Sequence, residues 1–127
     1  MSKRIVRTEQ APQAIGPYSQ AVVGGGFVYV AGQLALDPRT GQLVPGDVRI
    51  QTKRVMENIK AILEGAGSSL DRVVKTTVFL RDLNDFGSIN EIYGSYFQED
   101  PPARSTFQVA KLPRDGAVEI EAVALVK

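Results

Sequence analysis

The chain has 127 residues, 43% hydrophobic and 23% charged, with 15 basic against 14 acidic side chains and a net charge of +1. That length and balance fit one globular domain over residues 1–127, able to bury a core without cross-links. The absence of any His or Cys excludes a Ser-His-Asp triad, a Cys nucleophile, a disulfide framework and a His- or Cys-ligated metal centre.

Ile5–Thr8 reads as a short strand, followed by a polar loop from Glu9 to Ser19 that contains Gly16-Pro17-Tyr18. Gln20–Val23 and Phe27–Ala31 are apolar runs joined by Gly24-Gly25-Gly26, a hairpin signal. Asp37-Pro38-Arg39-Thr40-Gly41 is a turn, with Pro at the second position. Asp47 is a candidate N-cap for a helix over 48–66, where Val55, Ile59, Ile62 and Leu63 keep the 3.6-residue period and Gly67 follows the C-terminus. Val73–Leu80 is a β-branched strand. Asp85 is placed to cap a second helix over 86–97, which Pro101-Pro102 prevents from continuing. Arg104–Val109 and Val118–Val126 are strands joined by the loop 111–116.

The order β-β-β-α-β-α-β-β predicts an α+β fold, a mixed sheet of about six strands with two helices on one face. In the last strand Val118, Ile120, Ala122 and Ala124 alternate with Glu119, Glu121, Val123 and Leu125, so both faces carry apolar residues. The uncovered face then calls for a second protein layer, which self-association into a symmetric ring supplies. No stretch of about 20 apolar residues is present for a membrane helix, and Met1–Val6 has no apolar signal core. The expected location is therefore cytoplasmic. Lys53-Arg54 and Arg72…Lys75 are short basic groups flanked by acids, which weighs against a nucleic-acid partner.

With no His or Cys, chemistry falls to Arg, Glu, Tyr, Asn, hydroxyls and backbone groups. Alternation puts Arg104 and Thr106 on one face of their strand and Glu119 and Glu121 on one face of theirs. Antiparallel pairing of 104–109 with 118–126 would bring Arg104 and a glutamate to the same face. A guanidinium fork suits a carboxylate ligand, and a glutamate beside it can position a water or relay a proton. By pattern alone the pair reads first as a structural ion pair. Likewise Tyr18 reads as a packing anchor of a rigid loop, Gly32 as a strand end open to close approach, and Asn90 as an exposed helix residue.

Taken together, Ile15-Gly16-Pro17-Tyr18-Ser19-Gln20, Val30-Ala31-Gly32-Gln33, Leu83-Asn84-Asp85-Phe86, Pro102-Ala103-Arg104-Ser105 and Glu119-Ile120-Glu121-Ala122 closely resemble the YjgF/YER057c/UK114 family, which includes the RidA deaminases. The resemblance implies a chorismate-mutase-like fold of the bacterial homotrimeric type, with three clefts between subunits. It implies an enzyme that hydrolyses enamine and imine intermediates, such as 2-aminoacrylate and 2-iminobutanoate, to 2-keto acids and ammonia, with no cofactor and no metal. On that likeness Arg104 binds the substrate carboxylate and Glu119 orients the attacking water, with Tyr18 as the third catalytic residue. Ser105, the backbones of Thr106 and Gly32, and Asn90 complete substrate binding. Thr106 stands where many members have Cys, and Ala31 where RidA proteins often have Ser. The same family holds regulatory, non-catalytic trimers and proteins described as translation inhibitors or endoribonucleases, which are the alternative expectations.

Overall fold

The computed structural model describes residues 2–126, so Met1 and Lys127 of the expected domain lie outside the described residues. The strands are β1 (Arg4–Val6), β2 (Ala21–Gly24), β3 (Phe27–Gln33), β4 (Val73–Leu80), β5 (Ala103–Gln108) and β6 (Val118–Leu125). The helices are α1 (Val48–Gly65) and α2 (Phe86–Tyr96), and the chain order is the expected one.

Local chemistry sets these boundaries. Asp47 caps α1 as expected, its Oδ1 accepting from the N–H groups of Arg49 and Ile50 at 3.1 Å each. Val55, Met56, Ile59, Ile62 and Leu63 form the buried stripe of α1. The helix is closed by Gly67 at φ +83°, a conformation that strains any L side chain. Asp85 does not cap α2 through its side chain. A 3-10 turn, Leu83–Asp85, precedes the helix, and Asp82 caps that turn by accepting from the Asn84 N–H at 2.9 Å. The extra turn moves the unsatisfied amides upstream, beyond the reach of Asp85.

The strand order is β1-β2-β3-β6-β4-β5. All neighbours are antiparallel except β4 and β5, which run parallel. The expected antiparallel pairing of 104–109 with 118–126 is therefore corrected: β4 lies between the two strands. The cause is topological. A strand, α2 and a second strand form a crossover unit that returns the chain to its starting end, which makes β5 parallel to β4. The other flank of β4 is left for β6.

Register decides the faces. Thr76 lies beside both Arg104 and Ala122, whereas Phe79 lies beside both Phe107 and Glu119. Residues paired across a sheet share a face. Arg104 thus stands on the side of buried Thr76 and Ala122, while Glu119 and Glu121 stand on the other. The expectation that Arg104 and a glutamate share a face is corrected as well.

The core lies between the helices and one sheet face, where Val28, Val30, Val78, Leu80, Val118 and Ile120 meet the buried stripe of α1. Each such side chain contributes about 1.5–3 kcal/mol relative to exposure. Among the described residues no helix covers the opposite face, which leaves Tyr29, Phe107 and Leu125 at 51%, 52% and 42% exposure. Among the described residues, no helix is long and apolar enough to cross a membrane.

Candidate functional site

Arg104 projects from β5, the outer strand of the sheet, toward α2. Its Nη1 donates to Asn90 Oδ1 at 2.8 Å, and its Cζ lies 5.2 Å from the Phe86 ring centroid and 4.9 Å from that of Tyr93. Phe86, Asn90 and Tyr93 are spaced i, i+4, i+7 and so share one side of α2. The Tyr93 hydroxyl sits 2.7 Å from Thr76 Oγ1 inside the protein, and burial raises its pKa. No described carboxylate forms a salt bridge with Arg104. Asn90 occupies one of five guanidinium N–H groups.

Thr106 shares the face of Arg104 by alternation. Its backbone is placed by the ladder: Val109 N–H donates to Leu80 O at 2.9 Å. In a parallel ladder alternate residues turn both main-chain groups to one neighbour. The backbones of Ser105 and Phe107 therefore face β4, and those of Arg104 and Thr106 point off the sheet edge. Ser105 is not brought to Arg104, because its side chain lies on the open face beside Thr77.

Glu119 belongs to a different cavity, of about 470 Å³, whose walls include Ile15, Tyr18, Gly32, Leu34 and Leu36. Gly32 sits where the β3–β6 register slips between Val30 and Gln33. A Cβ built there would lie 2.6 Å from Glu119 Oε2, so the missing side chain is the space that the carboxyl occupies. Burial, and then the charge of Glu121, push the Glu119 carboxyl above the usual carboxylate range. Among the described residues no cation forms a salt bridge with it.

Tyr18 is 52% exposed at this cavity. Its loop is turned by the Tyr18 N–H donating to Gly16 O at 2.8 Å. The loop is held from below by Gln20, a residue whose individual role the sequence pattern did not single out. Its buried amide donates to the carbonyls of Thr8, Ala11 and Pro12 and accepts from the Thr8 N–H. A lone amide beside the apolar run of β2 was the available signal. Gln51 plays a similar part on α1: its Oε1 accepts from the buried Ala117 N–H at 2.9 Å and fixes the entry to β6.

The expected residues thus form two groups. Arg104, Asn90 and Thr106 gather at the outer edge on the helix side. Tyr18, Gly32 and Glu119 gather around the cavity. Two inter-strand steps and three residues of rise separate Arg104 from Glu119, about 14 Å between their Cα atoms, on opposite faces.

The family described as endoribonuclease L-PSP matches residues 8–126. The chain belongs to this L-PSP family, which includes YjgF and RidA. Its likeness to other L-PSP members runs through nearly the whole chain. It is 57% identical over 124 residues to a RutC family protein of Pyrococcus abyssi, covering 98% of each chain. It is 53% identical over 123 residues to the mouse 2-iminobutanoate/2-iminopropanoate deaminase, covering 97% of this chain and 91% of the mouse protein. The crystal structure of E. coli TdcF with bound serine matches with a TM-score of 0.93 at 46% identity, over 98% of this chain and 99% of that one. The L-PSP fold of this chain is the chorismate-mutase-like one expected from its motifs.

Proposed function

We propose that the chain hydrolyses 2-imino acids, among them 2-iminobutanoate and the imine tautomer of 2-aminoacrylate, to 2-keto acids and ammonia. One observation carries this reading: a half-buried arginine without a described acid partner, and a half-buried carboxyl without a described cation that lines a cavity. The names of relatives such as the mouse deaminase support it.

The two groups cannot reach one small substrate within a chain. The working site is therefore an intersubunit cleft of a homotrimer, with Arg104, Asn90 and Thr106 from one copy and Tyr18, Gly32 and Glu119 from the next. The uncovered apolar sheet face supplies the surface for association. In the cleft Arg104 takes the substrate carboxylate through two parallel N–H···O bonds, and the outward backbone of Thr106 offers further hydrogen bonds. Glu119, ionised, accepts a proton from a water as its oxygen bonds to the imine carbon, and the C=N electron pair moves to nitrogen. The first proton passes from Glu119 to that nitrogen; the new C–OH then gives up its proton as the C=O bond forms and the C–N bond breaks, and the nitrogen takes this second proton to leave as ammonia. The imine carbon is electrophilic already, so orientation and one general acid/base group suffice, the latter commonly worth about 10²–10⁴ in rate.

The test generates 2-iminobutanoate in situ with a threonine dehydratase and follows release of 2-ketobutanoate. The purified chain should accelerate release, and Arg104→Ala should abolish that acceleration while keeping the fold. A rate equal to buffer for the wild-type chain would refute the proposal.

A further inference from the structure

Arg104 is a long side chain on a sheet edge, where nothing in the strand itself restricts its sweep. Three contacts from α2 do restrict it: the Phe86 ring at 5.2 Å, the Tyr93 ring at 4.9 Å and Asn90 Oδ1 at 2.8 Å. The helix is in turn latched at the same rung. Tyr93 hydrogen-bonds Thr76 at 2.7 Å, and Thr76 is the register partner of Arg104 in the parallel ladder. The Tyr93 ring is therefore tied to the residue of β4 that pairs with Arg104.

We propose that Phe86 and Tyr93 are positioning residues, an aromatic clamp that aims the Arg104 guanidinium at its carboxylate ligand, with the Thr76 hydroxyl as the latch of the clamp. This rests on the reading that Arg104 binds the substrate carboxylate. Both rings lie against the guanidinium, and the clamp acts through Arg104. Phe86 is 38% exposed and stands at the first position of α2, so it can be changed with little disturbance of the core.

The experiment compares wild type, Phe86→Leu, Phe86→Tyr and Arg104→Ala. In the ligand-free protein the Arg104 Nε–Hε resonance, assigned by its loss in Arg104→Ala, is read by NMR. It carries the ring-current shift of the clamp in wild type and Phe86→Tyr and moves toward that of a free arginine in Phe86→Leu. Binding of 2-ketobutanoate, read by calorimetry, weakens about threefold to thirtyfold in Phe86→Leu, the range of one cation–π contact. KM for the imine rises more than kcat falls, the melting temperature barely moves, and Phe86→Tyr restores both parameters. An unchanged resonance, or unchanged affinity in Phe86→Leu while wild type binds, overturns the clamp alone. Wild type failing to bind 2-ketobutanoate, with the resonance behaving as described, overturns the carboxylate role and the proposed function together.

Discussion

Replacing Gly32 by alanine tests the placement of Glu119 without altering its chemistry. The new Cβ would lie 2.6 Å from Glu119 Oε2 and 3.0 Å from its Cδ. Ordinary contact requires the carboxyl to retreat by about 0.8 Å. Gly32 is not among the glycines with positive φ, so the backbone accepts alanine and the displacement falls on the side chain. A rotamer shift of that kind costs about 0.5–1.5 kcal/mol of stability at most. Misplacing a reacting group by about 1 Å can cost about 10²-fold. We expect kcat/KM for 2-iminobutanoate to fall about 10- to 100-fold, or about 1.4–2.7 kcal/mol of transition-state stabilisation. The assay is initial-rate keto-acid release, beside urea melts. Repeating Gly32→Ala in a Glu119→Ala background isolates the cause, because there the methyl group has nothing to displace. If alanine costs as much without Glu119 as with it, or if Gly32→Ala has the wild-type rate, the steric account is refuted.

Acting as a base, Glu119 works only above its raised pKa, so kcat/KM rises with pH through that value; Glu121→Gln removes one cause of the shift and moves this limb to lower pH. For stability the sign reverses: the neutral carboxyl favours the fold, its contribution is full below the unfolded pKa and is lost as pH rises through the folded one, so Glu119→Gln raises the melting temperature more at neutral pH than near about pH 4. Asp47→Ala removes the cap of α1 and should cost about 0.5–2 kcal/mol in urea denaturation; a loss within error would show that the cap is dispensable. Phe107→Glu puts a charge on the uncovered sheet face, 6.4 Å from the Phe79 ring centroid in the native side chain; sedimentation should show single chains with native helicity and no deaminase activity, and a persisting trimer would contradict the proposed interface.

Much of this fold was legible because its signals are local. The β-branched run of β4, the Asp47 cap and the Gly67 stop each act within a few residues. Alternation correctly divided β6 into a buried row and a row with Glu119 and Glu121. It could not say which row faces the helices relative to Arg104, because that depends on where β4 inserts. Pairing across a crossover is a long-range choice with no imprint on the period of either strand. The contact of Asn90 was hidden for a similar reason. On its helix it is a polar residue at an unremarkable position, and only its place between Phe86 and Tyr93 on one stripe hints at a cation opposite. Gly32 was legible as a close-approach position, but what approaches it, a carboxyl from another strand, was not.

The free flank of β5 has a cost for solubility. An unpaired border of N–H and C=O groups is a template onto which a foreign strand can add, and from there a fibril can grow. Here the template is kept short. Pro101 and Pro102, which lack N–H donors, stop the ladder on one side, and Gln108 turns its side-chain oxygen to the Leu83 N–H on the other. At the far border β1 is only three residues long. The outward strip of β5 backbone is thus kept short at both ends, and lengthening it by replacing those prolines would enlarge the border open to polymerisation.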